Sequence, residues 1–263
     1  MDETLQVYIN RVARMTLPEA RKSQVQHIQS SPKFRQQING QIDPMPFPGY
    51  TVITPPWVDE LESGVFYEQL QQLQQQIERQ LPAGLLVPLP PESFHMTVAD
   101  LIWDSAFQHA IDENPEFESQ LRDRIAAIFQ EYQPLLQTIK PVYWQALGLT
   151  VMTRALGVFL APKNESAYEQ VLLLRRAIYQ DLGLIALGIE QQYYLTAHVT
   201  LGYFATLPDD LDREQLSDTL SQLNDHWLDT TTLQPLWVQR AELRKFDDMT
   251  RYYRKGEWPV VQF

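Results

Sequence analysis

Two of the chain's five histidines sit in one recurring local pattern: Ser93-Phe94-His95-Met96-Thr97-Val98 reads SFHMTV, and Thr196-Ala197-His198-Val199-Thr200-Leu201 reads TAHVTL. Imidazole titrates close to neutral pH, so one such ring can take a proton while a second, protonated, gives one. A threonine hydroxyl two places on can donate a hydrogen bond to an oxygen that carries negative charge. Used twice, this pair suits phosphoryl chemistry. Base and acid would flank an in-line displacement, with the two hydroxyls on the non-bridging oxygens.

Such groups need elements that hold them. Both hexapeptides alternate polar and apolar residues, as a half-buried β-strand does. Ser93, His95 and Thr97 would then share one face and Phe94, Met96 and Val98 the other, and Thr196, His198 and Thr200 would likewise oppose Ala197, Val199 and Leu201. Each strand offers a core face and a row of hydroxyl, imidazole, hydroxyl. The bland alternative is two core histidines satisfied by local hydrogen bonds.

Competing chemistries find little support. There is no cysteine, which excludes disulfides, thiolate zinc sites and cysteine nucleophiles. No H-E-x-x-H, phosphate loop, G-x-G-x-x-G or G-x-S-x-G element occurs. His27, His109 and His226 lack a threonine two places on and read as surface residues. Tyr50, Tyr193, Tyr203, Tyr252 and Tyr253 could stack on a nucleobase or simply pack. Among the arginines, Arg251 and Arg254 flank Tyr252-Tyr253 and are candidates to assist phosphate binding.

The net charge of −12 argues against a long nucleic acid as partner. The charge is uneven: Arg11 to Arg35 and Arg240 to Lys255 each hold six basic residues, which leaves the remainder more acidic still. Charge runs are ordinarily solvated faces. The sharper reading is that the two ends converge on a small anionic site. No run approaches the roughly 18 apolar residues of a membrane span, and MDETLQVYINRVARM lacks a signal-peptide core. A cytoplasmic protein without membrane contact is expected.

Along the chain, residues 4–28 read as helical with a break at Pro18, followed by the loop NGQIDPMPFPGY. Thr51 to Thr54 is a short strand, and VFYEQLQQLQQQIERQL carries apolar residues at helical spacing. After the first histidine strand come a helix (FESQLRDRIAAIFQEYQPLL), two strands (VYWQALGLTVM and ALGVFLAP) and a helix expected to end at Gly183. The second histidine strand, a polar helix and the strand LWVQRAELRKF complete a plan that looks used twice.

HMTV and HVTL resemble the paired H-x-T-hydrophobic signatures of the 2H phosphoesterase superfamily, which includes the LigT-like cyclic phosphodiesterases. PFPGYTVI is similar to the entry strand of a bacterial and plant branch of it. The resemblance implies an α+β fold: bilobal, with two pseudo-symmetric lobes whose mainly antiparallel sheets face a central cleft, helices outside. It spans roughly residues 45–250, which divides the chain into an N-terminal helical arm and Pro-rich loop (1–44) and a 2H-like domain (45–263). It implies His95 and His198 as the catalytic pair, Thr97 and Thr200 as phosphate ligands, and no metal or organic cofactor. The expected activity is hydrolysis of a small phosphodiester, such as a 2′,3′-cyclic phosphate on a nucleotide or short RNA end. The alternative is a module that binds nucleotide or phosphate in the same cleft without turnover. Which histidine is base, and the oligomeric state, stay open.

Overall fold

The computed structural model describes residues 3–37, 40–60, 62–136 and 141–263. Met1 and Asp2 of the expected arm and Asn39 of the loop after it lie outside the described residues. Helix α1 (Leu5–Met15) starts where the Thr4 hydroxyl accepts from the Val7 amide, and α2 (Pro18–Val25) starts on Pro18, which needs no amide donor there. A hairpin of β1 (Phe34–Gln36) and β2 (Ile42–Pro44) leads to β3 (Gly49–Ile53). Helix α3 (Gly64–Gln80) buries Phe66, Leu70, Leu73 and Ile77, the face its spacing predicts, and Tyr67 beside them. Each such side chain contributes about 1.5–3 kcal/mol.

The next strands and helices are β4 (Leu86–Pro88), β5 (Thr97–Trp103), α4 (Asp104–Glu113), α5 (Phe117–Leu136), β6 (Val142–Val151) and β7 (Ala155–Pro162). Then come α6 (Glu165–Tyr179), α7 (Leu182–Ala186), β8 (His198–Phe204), α8 (Arg213–Thr230) and four strands: β9 (Leu236–Val238), β10 (Arg240–Phe246), β11 (Tyr252–Tyr253) and β12 (Val260–Gln262). Gly183 does not end the preceding helix. That helix stops at Tyr179, and the Asp181 carboxylate, accepting from the Leu184 amide, caps a new turn that contains Gly183.

Two antiparallel five-stranded sheets carry the histidine motifs, so the fold is α+β. The first runs β11-β10-β3-β5, with β12 also on β10, and the second runs β4-β8-β7-β6-β9. The first motif thus leads into an edge strand and the second into an internal one. Gly157 lets β7 lie close against β8, since a Cβ there would stand 2.6 Å from the Val199 carbonyl.

The N-terminal helices are packed on the second sheet. Tyr8 and Val12 are fully buried, α1 lies on β7, and α2 lies on β6 and α8. The Tyr8 hydroxyl donates to the Leu160 carbonyl (2.7 Å) and accepts from the Ala197 amide (3.2 Å), tying α1 to β7 and to the residue before His198. No helix among the described residues is long and apolar enough to cross a membrane.

Candidate active site

A cavity of about 240 Å³ lies between the sheets, and His95, Thr97, His198 and Thr200 all line it. The sequence pattern therefore brings together the four residues it singled out. Two local details differ from simple alternation. Ser93 lies in a 3₁₀ turn (Pro91–Ser93), where its hydroxyl donates to the Pro90 carbonyl, and β5 begins only at Thr97. Thr196 precedes β8, outside the cavity lining, and its hydroxyl accepts from Arg11 (2.9 Å). Proline-rich LPPE favours a turn before the first motif, so Ser93 lines the cavity with His95 and Thr97 but from a turn, with its hydroxyl already committed to the Pro90 carbonyl.

The two imidazoles are held alike. Nδ1 of His95 is 2.7 Å from the Ser93 carbonyl, and Nδ1 of His198 is 2.7 Å from the Thr196 carbonyl. A carbonyl only accepts, so Nδ1 carries the proton in each neutral ring and Nε2 keeps its lone pair. Neither Thr97 nor Thr200 spends its hydroxyl on a partner among the described residues. Both hydroxyls are available to a ligand.

The polypeptide around each motif is fixed by different means. Met96, next to His95, is bonded at both backbone groups to Thr54: its amide donates to the Thr54 hydroxyl, and the Thr54 amide donates to its carbonyl, each at 2.9 Å. The free edge of β5 would leave carbonyls unpaired. Helix α6 covers them, Arg175 donating to the Val98 carbonyl and the Tyr179 hydroxyl to the Asp100 carbonyl. The same Arg175 donates to the Tyr193 carbonyl (3.2 Å) in the loop that precedes the second motif. On that side Arg11 also donates to the Leu195 carbonyl (2.6 Å), with Glu3 as its ion-pair partner.

After the threonines the side chains do not simply alternate. Pairing of β3 with β5 shifts register between Tyr50 and Thr51 and between Val52 and Ile53, and pairing of β7 with β8 shifts between Leu156 and Gly157. Each shift is a β-bulge that re-aims the side chains beyond it. Cavity-lining residues in β5 are therefore Thr97, Asp100 and Trp103; in β8 they are His198, Thr200 and Tyr203. Counting from each histidine, the lining falls at the same intervals, two residues on and then three more. Strict alternation puts Ala99 and Leu101 there instead, so it does not find Asp100.

Electrostatically, burial holds His95 down, to about 4, against the bond to the Ser93 carbonyl, with His198 and Arg244 pushing the same way as burial. Its ring meets Tyr252 edge-on, centroids 4.3 Å apart. Burial raises the Asp100 carboxyl, while His198, Arg175 and Lys33 pull it back. Lys33, a second charged residue not singled out as a site group, also lines the cavity. Its only signal in the sequence is membership of the basic N-terminal run.

Tyr252 lines the cavity, whereas Tyr253, Arg251 and Arg254 line an adjoining depression that shares Ser93 and Tyr252 with it. Arg251 lies over the Tyr253 ring, and Arg254 donates to the Gly256 and Trp258 carbonyls. The structure does not bring these two arginines into the space between the histidines. Among the described residues no cluster of three or more His, Asp or Glu groups could hold a metal ion.

Residues 33–113 match a family model, 2H-phosphodiest, whose description is a domain of unknown function (DUF1868). No curated protein matches the chain. Among solved structures, the conserved protein of unknown function ATU0111 from Agrobacterium tumefaciens str. C58 is similar over 83% of this chain and 87% of its own, with a TM-score of 0.55 and 16% identity. It shares the fold. TT0787 of Thermus thermophilus (TM-score 0.42, 14% identity, 81% of this chain and 93% of that one) and E. coli LigT complexed with 3′-AMP (TM-score 0.37, 14% identity, 83% and 96%) are weaker likenesses. The segment that matches the 2H-phosphodiest model holds the first H-x-T motif, and the second H-x-T motif lines the same cavity, so the family match and the paired motifs support the resemblance to the 2H phosphoesterases.

Proposed function

We propose that the chain is a phosphodiesterase that hydrolyses a small phosphodiester, such as a 2′,3′-cyclic phosphate on a nucleotide or short RNA end, using side chains alone. One observation carries this reading: two histidines, each with Nδ1 tied to a carbonyl two residues back, present Nε2 to one cavity beside two uncommitted threonine hydroxyls. His95 is the base. Burial against Tyr252 keeps its ring neutral at ordinary pH, so its lone pair is ready. His198 is then the acid, and a proton on it has Asp100 as counter-charge in the same cleft.

In the reaction, His95 Nε2 takes a proton from water as the water oxygen attacks phosphorus. The bond from phosphorus to the ribose oxygen opposite breaks, and His198 delivers its proton to that oxygen. Thr97 and Thr200 donate to the non-bridging oxygens, whose charge the transition state retains. A phosphomonoester and a free hydroxyl result, and solvent resets both rings. The narrow cavity and the acidic remainder of the surface favour a nucleotide or chain end over a long polynucleotide.

Turnover with EDTA present, over 2′,3′-cyclic nucleotides, 3′,5′-cyclic nucleotides and short RNAs ending in a cyclic phosphate, tests the reading. Activity on at least one class is expected, with losses of about 10²–10⁴-fold in His95→Ala and in His198→Ala. Saturable binding with no product from any of them would replace it with a binding module.

A further inference from the structure

Lys33 is a cation whose surroundings do not account for its charge. Its ammonium sits in the cavity wall against the Phe47 ring (4.2 Å to the centroid) and the Tyr203 ring (5.1 Å), and its one hydrogen-bond acceptor among the described residues is the Met249 sulfur at 3.2 Å. A thioether is a weak acceptor, and an ammonium has three protons to place. Ring faces attract a cation but do not neutralise it. No carboxylate is in ion-pair contact with Lys33 among the described residues. Asp100 lines the same cavity, and its carboxylate has no hydrogen-bond donor among the described residues. Its attraction raises Lys33, but burial outweighs it and brings the ammonium down to about 8. Other charges felt at Lys33 are Arg154, which lowers it, and Asp104, which raises it.

A half-buried, under-partnered ammonium is costly to keep. The cost is offset if a ligand brings the missing charge. On a chain of net charge −12, a cation facing the cavity beside two H-x-T motifs selects for an anion that enters it. We propose that Lys33 is the anion-holding cation of the cleft, donating to a phosphate oxygen of the substrate, either the scissile phosphate or a second phosphate on the same molecule. This rests on the phosphodiester reading above for the identity of the substrate, but not for the binding of an anion. Phe47, Tyr203 and Met249 then serve to hold the ammonium aimed at the cavity, and Lys33 adds a full charge to the neutral donors Thr97 and Thr200.

Titrating inorganic phosphate into wild type, Lys33→Met, Lys33→Arg, Asp100→Asn and the double variant Lys33→Met/Asp100→Asn at pH 7 by calorimetry tests it. Expected are at least tenfold weaker phosphate binding in Lys33→Met, retention in Lys33→Arg and tighter binding in Asp100→Asn. Thermal unfolding of Lys33→Met at or above the wild-type midpoint is also expected, because a poorly paired charge has gone. Phosphate binding in Lys33→Met equal to wild type would overturn the proposal, as would absence of phosphate binding in wild type. So would a Lys33→Met defect that vanishes in the Asp100→Asn background, which would make Lys33 the counter-charge of Asp100 instead. Turnover of a 2′,3′-cyclic nucleotide with and without a 5′-phosphate separates the two sources. Equal losses in Lys33→Met point to the scissile phosphate and a loss only on the 5′-phosphorylated substrate to the second. If wild type turns over neither but binds phosphate through Lys33, the phosphodiesterase reading fails and the anion site stands.

Discussion

The two histidine strands share a motif and differ in nearly everything that holds it. His95 precedes an edge strand whose outer carbonyls are covered by Arg175 and Tyr179 of α6, whereas His198 opens an internal strand clasped from the N-terminal helix by Arg11 and Tyr8. Five residues after His95 the cleft wall is Asp100, and five after His198 it is Tyr203. His95 meets a tyrosine ring at 4.3 Å, while His198 meets Phe159 at 6.4 Å. The repeated pattern places two imidazoles and two hydroxyls on the cavity. In the proposed function the unrepeated surroundings are what give the two rings different tasks, since general acid–base catalysis at one pH needs one ring free of its proton and one bearing it.

Swapping the leaving group is the strongest way to break that division. An aryl phosphodiester whose phenol is acidic departs without help, so the acid becomes dispensable while the base does not. His198→Ala is expected to lose about 10²–10⁴-fold on a ribose leaving group and far less on a nitrophenyl diester. His95→Ala should lose comparably on both. Parallel kcat/KM measurements on the two substrates decide it, and the reverse pattern would exchange the roles.

Next in size is the threonine pair. Replacing Thr97 or Thr200 by valine keeps the shape and removes one donor, with an expected cost of about 10²–10³-fold in kcat for each. A loss confined to one threonine would show that the phosphate leans on one sheet only.

How far the sequence anticipates this site depends on the range of the forces involved. The histidines and threonines are legible because alternation along a strand is a local property, and α3 and the break at Pro18 are legible for the same reason. Asp100 is not, because the bulges that turn it inward depend on how β5 pairs with β3. Lys33 is not, because its place against Met249 and Tyr203 joins residues more than one hundred positions apart. Tyr8 and Arg11 read as part of a helix outside the motif-bearing segment, yet they touch Ala197, Leu195 and Thr196 beside the second motif. Gly183 misleads because the Asp181 cap restarts a helix where glycine usually ends one.

Arg11 offers a smaller test, directed at the second strand. Arg11→Ala leaves the Leu195 carbonyl and the Thr196 hydroxyl without their charged donor, at an expected cost of about 2 kcal/mol in stability. Thr196 also supplies the carbonyl that orients His198, so activity on a ribose leaving group should fall roughly tenfold, about 1.4 kcal/mol, and more than it does on the nitrophenyl diester. A uniform loss on both substrates would assign Arg11 to folding alone.

The smallest expected effect is a pH dependence of stability that belongs to His95. Its imidazole takes a proton near 6.5 when unfolded and only near about 4 when folded. Between those values the unfolded chain binds more protons, so stability that is full above 6.5 is lost progressively as the pH falls toward 4. Between pH 7.5 and 5.5 the contribution lost is about 1 kcal/mol, since one pH unit across such a window is worth about 1.4 kcal/mol and the upper part contributes little. Urea denaturation at the two pH values, compared between wild type and His95→Gln, isolates it from the carboxylates, which both proteins share. The wild type should lose more stability than the variant on acidification. An equal loss would mean that the His95 ring is solvated enough to hold a proton near neutrality, and the assignment of His95 as the ready base would lose its physical ground.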